Sequence, residues 1–136
     1  MIAVDSSVAI AAFGSWHLSH HAALAVLEEG PALPAHAMLE TYSVLTGFPP
    51  PHRAPPDLVV TWLQDSFRRV LAAPPPAAHR DLLRSLADGR RTGGAVYDGL
   101  VALTAARAGA VLVTADVRAA PVYELVGVAV RRIDEP

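Results

Sequence analysis

AVYDGLVALTAARAGAVLVTAD, residues 95–116, decides the fold. Residues 95–108 are almost entirely apolar and long enough for a helix. VLVT at 111–114 is a short continuous apolar run of the kind a strand buried on both faces shows. An apolar helix feeding such a strand describes a helix packed on a parallel sheet. The same stretch places Asp98 in the first turn or so of the helix and Asp116 just past the strand's carboxyl end.

Working outward, residues 1–5 read as a strand with Ile2 and Val4, ending in Asp5. Ser6 or Ser7 can cap a following helix that runs through Phe13. Residues 17–29 read as a helix, with Leu18, Ala22, Ala25 and Val26 at helical spacing and Gly30 and Pro31 closing it. A short strand is expected near 32–34 and a helix over 36–47, with Met38, Tyr42 and Leu45 on one stripe. PPPHRAPP at 49–56 stops that helix, because proline cannot continue it. The pattern resumes as a helix over 57–67, a strand over 69–73, a helix over 77–88 and a last strand over 128–133. Residues 89–94 form a polar, glycine-rich loop carrying Arg90 and Arg91. Strands alternating with helices over short connections imply an α/β fold with a parallel sheet covered on both faces. At 136 residues, one domain over 1–136 is expected.

Composition excludes several chemistries. The chain has no cysteine, which removes disulfide frameworks, thiolate zinc sites and cysteine nucleophiles. All 11 basic residues are arginine, so a P-loop or Schiff-base lysine is excluded. The formal charge of −2 means that any RNA binding relies on local arginine clusters or bound cations. Residues 1–7, MIAVDSS, lack a basic segment followed by an apolar run, and no later stretch reaches the ~18 apolar residues of a membrane span. A soluble, cytoplasmic protein is expected.

Four carboxylates stand out: Asp5, Glu40, Asp98 and Asp116. Ligands of such sheets sit beyond the carboxyl ends of the strands, where Asp5 and Asp116 fall. Around Glu40, the positions three and four away hold His36, Ala37, Ser43 and Val44, with no arginine. Around Asp98 they hold Gly94, Ala95, Val101 and Ala102. Each residue alone has a plain explanation: a helix cap for Asp5, dipole complementation for Asp98, a solvated face for Glu40, a turn for Asp116. Together they point to a cation, since unpaired carboxylates on apolar faces are costly to bury. Oxygen-only ligation selects Mg2+ or Mn2+, which suits hydrolysis of a phosphodiester. His17, His20 and His21 share a helical face in this reading but have no acidic partner nearby, which makes a solvated face the better assignment. Gly93 and Gly94 precede a helix without the rest of a phosphate-binding loop and more simply shape the turn.

VDSS at 4–7, Glu40 within AMLETYSVLT, VYDGLVALTAA at 96–106 and VLVTAD at 111–116 resemble the four acidic motifs of the PIN domain. Size, order and spacing are similar to those of the VapC toxins of bacterial VapBC toxin–antitoxin systems. The resemblance spans Val4 to Asp116. It implies a three-layer α/β/α fold with a central, mostly parallel five-stranded sheet. It also implies an endoribonuclease using Mg2+ or Mn2+, with Asp5, Glu40, Asp98 and Asp116 as its acidic quartet and Thr114 or Ser6 as a polar neighbour. A homodimer neutralised by a cognate VapB antitoxin is expected, with structured RNA such as tRNA or rRNA as substrate. Arg90, Arg91 and Arg53, with His52, are candidate phosphate contacts, because guanidinium matches phosphate bidentately. Trp16 and Trp62 belong to a partner surface or to the core. Gly99, an unusually small neighbour of Asp98, is the one feature whose effect stays open. The rival readings are a non-catalytic protein-interaction module on the same fold and a small-molecule phosphatase. The second is disfavoured because Ser7 stands two residues after Asp5, where the dehalogenase-like pattern needs an aspartate.

Overall fold

The computed structural model describes residues 1–133. In chain order the elements are β1 (Ile2–Val4), α1 (Ser6–Phe13), α2 (His20–Glu28), β2 (Leu33–Pro34), α3 (Ala35–Gly47) and α4 (Pro56–Ser66). They continue with β3 (Val70–Leu71), α5 (Pro76–Asp88), α6 (Ala95–Arg107), β4 (Val111–Thr114), a 3-10 turn (Val117–Ala119), α7 (Ala120–Val126) and β5 (Val130–Arg132).

All strand pairings are parallel. One ladder runs β1-β4-β5 and a second pairs β2 with β3. A single bridge between Ala3 and Ala32 joins them. There Val4 N–H donates to the Ala32 carbonyl and Ala32 N–H to the Ile2 carbonyl, both at 3.0 Å. The expected five-stranded sheet is therefore present as two ladders joined at one point. β2 is two residues long and ends in Pro34, which has no N–H to extend the pairing.

The core follows the hydrophobic runs. Ala3, Val4, Leu112 and Val113 of the central strands are buried against Val8, Ala9 and Ala12 of α1 and Val101, Ala102 and Ala105 of α6. A smaller cluster, Leu82, Leu86 and Val122, locks α5 and α7 onto α6. Gly99 sits at that contact: a Cβ there would lie 3.1 Å from Leu82 Cδ1 and 3.5 Å from Leu86 Cδ2. Its small size thus lets α5 approach α6 one residue from Asp98.

Two expectations change. The helix expected over 17–29 starts only at His20, and residues 14–19 form turns. His17 Nδ1 accepts from Ser19 N–H at 3.0 Å, so the three histidines share no common helical face. The sequence reading assigns nothing between Asp116 and the last strand, where the structure has α7. Proline in the first turn and Gly127 at the C-cap, with φ 87°, are the start and stop signals of that helix. At seven residues it is too short to display a full hydrophobic period. Trp62 goes to the core side, edge-on to Phe13 and Phe67 at centroid distances of 5.3 and 5.9 Å. Among the described residues, no helix is long and apolar enough to cross a membrane.

Candidate active site

Asp5 leaves the carboxyl end of β1 and starts α1. As the N-cap of that helix its Oδ1 accepts from Val8 N–H at 3.3 Å. Three hydroxyls complete its surroundings. Ser7 Oγ donates to Oδ1 at 2.5 Å, while Thr114 Oγ1 and Tyr123 Oη donate to Oδ2 at 2.5 and 2.6 Å. A carboxylate offers about four acceptor positions, and here the chain fills all of them. This is how a side chain only 4% exposed is tolerated so near other acids. Burial nevertheless raises its pKa above the ordinary aspartate value, and the hydrogen bonds from Ser7, Thr114, Tyr123 and Val8 hold that rise back.

The same hydroxyls tie β4 to this corner. Ser7 Oγ accepts from Ala115 N–H at 2.9 Å, and Thr114 Oγ1 accepts from Asp116 N–H at 3.0 Å. Asp116 is set just beyond β4, and its Oδ1 accepts from Arg118 N–H at 2.9 Å, capping the short 3-10 turn. Arg118 Nε lies 3.7 Å from the same oxygen, with its side chain almost wholly in solvent.

Glu40 on α3 and Asp98 on α6 complete the group. Both are half-buried and neither accepts a hydrogen bond from a described residue. Glu40 Oε1 lies 3.9 Å from His36 Nε2. Burial, and then the negative charges of Asp98 and Asp5, push Glu40 up to about 7. Burial, Asp116 and Asp5 likewise raise Asp98, with Arg118 pulling the other way. Burial lowers the pKa of His36, so at neutral pH it gives Glu40 no full counter-charge. Burial and then the Asp5 charge raise Tyr123 far beyond the range in which phenols ionise, so it remains a donor.

Glu40 thus senses Asp98 and Asp5, and Asp98 senses Asp116 and Asp5. The four carboxylates are not drawn into a closed shell: among the described residues no three or more His, Asp or Glu side chains stand close enough to hold a metal ion. The donor set is nevertheless of the right kind. It is all oxygen, Glu40 and Asp98 have oxygens without hydrogen-bond partners, and the accumulated charge is opposed mainly by Arg118.

Of the other expected residues, Ser6 is replaced by Ser7 as the hydroxyl at the site. Arg53 Nε is used on the Phe48 carbonyl at 2.8 Å, bracing the proline loop. Arg90 sits in the turn after α5 with φ 56°, and Arg91 lines a cleft with Gly89, Pro121, Glu124 and Leu125. None of those cleft residues is in the quartet. Sequence reasoning missed Tyr123, because it lies 118 positions from the aspartate it serves. It also missed Arg118, two residues after Asp116, although an arginine beside an acidic motif is a legible signal.

An acidic corner of this kind, at the carboxyl edge of a parallel sheet, defines a class of α/β protein. The chain belongs to the PIN-domain family, whose model matches residues 2–125. More particularly, it is 47% identical over 133 residues to ribonuclease VapC40 of Mycobacterium tuberculosis, covering 98% of this chain and 99% of that protein. It is 44% identical over 131 residues to ribonuclease VapC27 of the same species, covering 93% of both. It is a VapC-type member of the family. Two solved structures share the fold. One is FitAB bound to an IR36 DNA fragment, with a TM-score of 0.73, 20% identity and coverage of 100% and 97% of the two chains. The other is FitAcB from Neisseria gonorrhoeae, with a TM-score of 0.71, 22% identity and 98% coverage of each.

Proposed function

We propose that the chain is the endoribonuclease toxin of a type II toxin–antitoxin pair, acting in the cytoplasm and hydrolysing RNA phosphodiester bonds with Asp5, Glu40, Asp98 and Asp116. The observation that carries this reading is the electrostatic state of Glu40 and Asp98. Two half-buried carboxylates without hydrogen-bond partners, raised first by burial and then by neighbouring acids, need a cation or a proton to settle them. The two ribonuclease relatives, aligned over nearly the whole chain, support the substrate class.

Asp98, Glu40 and Asp116 would hold Mg2+ or Mn2+ through their uncommitted oxygens, with Asp5 behind them. An ion there supplies Lewis-acid stabilisation of charge developing on the phosphate. The chain's own part is orientation. Ser7, Thr114 and Tyr123 fix the Asp5 carboxylate, and through it the start of α1 against the end of β4. Glu40, through whichever oxygen the ion leaves free, would take the proton of the attacking water, and the leaving oxygen would take one from solvent as its bond to phosphorus breaks. Arg118, projecting beside Asp116, is placed to meet a phosphate oxygen. Arg53, Arg90 and Arg91 are further phosphate contacts away from the reacting centre.

A homodimer and a VapB-type antitoxin are the protein partners in this reading. The apolar cleft between α3 and α4, about 250 Å3 and lined by Met38, Leu39, Tyr42, Val60, Leu63 and Gln64, supports a protein partner. The direct test is digestion of total cellular RNA, with tRNA and rRNA resolved, in Mg2+ or Mn2+, beside chelated and Asp98→Asn samples. Discrete cuts lost in both controls are expected. Cutting that persists in Asp98→Asn refutes the quartet, and no cutting by antitoxin-free protein favours the non-catalytic interaction module.

A further inference from the structure

Two cavities flank the acidic quartet and share Val44 along their walls. The larger, about 360 Å3, has Ser7 and Asp116 at its acidic end and Trp16, Phe48 and Arg118 around it. The other, about 320 Å3, has Glu40 at its acidic end and His36 beside it. We propose that the larger cavity is a nucleobase subsite in which Trp16 stacks a base, and that the open face of Tyr97, beside the second cavity, stacks another base of the same single-stranded RNA. The proposal rests on the ribonuclease reading above and names the side chains that would hold the bases.

Trp16 lines the larger cavity, and Tyr97 lies against His36, which lines the other. Phe48 meets the Trp16 indole edge-on at 5.3 Å and His52 lies against it at 4.3 Å. Gly14 is what seats the indole, because a Cβ there would fall 2.8 Å from its Cε2. Yet 43% of Trp16 remains exposed. Tyr97 is stacked on His36 at 5.1 Å with the planes 6° apart, so one of its faces is covered. Its 52% exposure therefore comes from the other face and the edge. The chain places Tyr97 directly before Asp98, and His36 one helical turn before Glu40. Tyr97 thus borders Asp98, while Trp16 shares its cavity with Asp116.

Charge explains why stacking is needed. Before a cation binds, a phosphate chain approaching four carboxylates gains little from Coulomb attraction, since Arg118 is the cation beside Asp98 and Asp116 and the whole chain carries −2. Base stacking on aromatic rings adds affinity without charge, and every base has a face to offer. Bases in a duplex are already stacked on one another, so the subsites accept only unpaired segments or loops.

The test uses Trp62→Phe with Asp98→Asn, which leaves Trp16 as the sole indole and keeps RNA uncut. This protein is titrated with a single-stranded oligoadenylate of roughly a dozen nucleotides and with an RNA duplex of equal length. Quenching of Trp16 fluorescence by the single strand and not by the duplex is expected. Adding Trp16→Leu or Tyr97→Leu weakens single-strand binding, followed by anisotropy, about tenfold or more, while Trp16→Phe stays within about threefold. The Phe variant separates ring stacking from mere volume, and circular dichroism melts show whether each protein is folded. Equal binding of the duplex overturns the inference, as does unchanged single-strand binding in the folded Leu variants. Cleavage of total RNA by wild type in the same series keeps the ribonuclease reading intact in that event. A wild type that neither cuts nor binds RNA sinks both.

Discussion

Replacing Glu40 by Gln should make the protein more stable above pH 7 while removing its activity. Glu40 carries a pKa near 7 in the fold against 4.5 for the free side chain. A carboxyl raised on folding binds more protons in the native state than in the unfolded one between those two values. The stability it contributes is therefore intact below about 4.5 and is lost as pH rises through 7. Full ionisation of an unscreened group would cost roughly 3 kcal/mol. The Glu40 side chain is 29% exposed, so solvent screening reduces this to about 1–2 kcal/mol. Gln keeps the shape and carries no charge. Denaturant unfolding without divalent ions, at steps from pH 5 to 8.5, should show Glu40→Gln gaining about 1–2 kcal/mol by pH 8 and almost nothing at pH 5. The corresponding rise in melting temperature at pH 8 is about 3–8 °C. His36, whose pKa burial lowers, costs stability at the acid end, but it is present in both proteins and drops out of the difference. An equal gain at pH 5 and pH 8, or a loss at pH 8, would refute the claim that carboxylate crowding strains this corner.

Three further outcomes follow from the same geometry. Tyr123→Phe removes a donor from buried Asp5 and should cost about 1–3 kcal/mol by denaturant unfolding, with RNA cleavage lowered and the fold retained by circular dichroism. Gly99→Ala gains about 1 kcal/mol of helix propensity but crowds Leu82 Cδ1 at 3.1 Å, which can shift slightly. Its melting temperature should stay near wild type, whereas Gly99→Val should fall by about 1–3 kcal/mol in stability. Mn2+ at about 100 times its dissociation constant should stabilise wild type by about 2.7 kcal/mol, measured by thermal shift, and should do much less for Asp98→Asn. An equal shift in both would place the ion elsewhere.

The sequence by itself determined the order and type of almost every long element, because those elements depend on local periodicity and on the prolines and glycines that end them. Residues 95–116 alone carry an apolar helix, a buried strand and two of the four acids. The same reading marked Glu40 and Asp98 as lacking local arginine partners, which the structure bears out. What it could not supply was everything set by separation along the chain. Ser7, rather than Ser6, faces Asp5 because the first turn of α1 rotates its hydroxyl toward Thr114. Tyr123 reaches the same carboxylate from a helix too short to register as a pattern. The sheet divides into two ladders because Pro34 cannot donate, a property visible in sequence whose effect appears only once β2 is seen to be two residues long. The elevation of Glu40 to about 7 belongs to no local stretch. It comes first from burial of the side chain by the tertiary fold and then from Asp5 and Asp98, 35 or more positions away, brought within electrostatic reach at the rim of a parallel sheet.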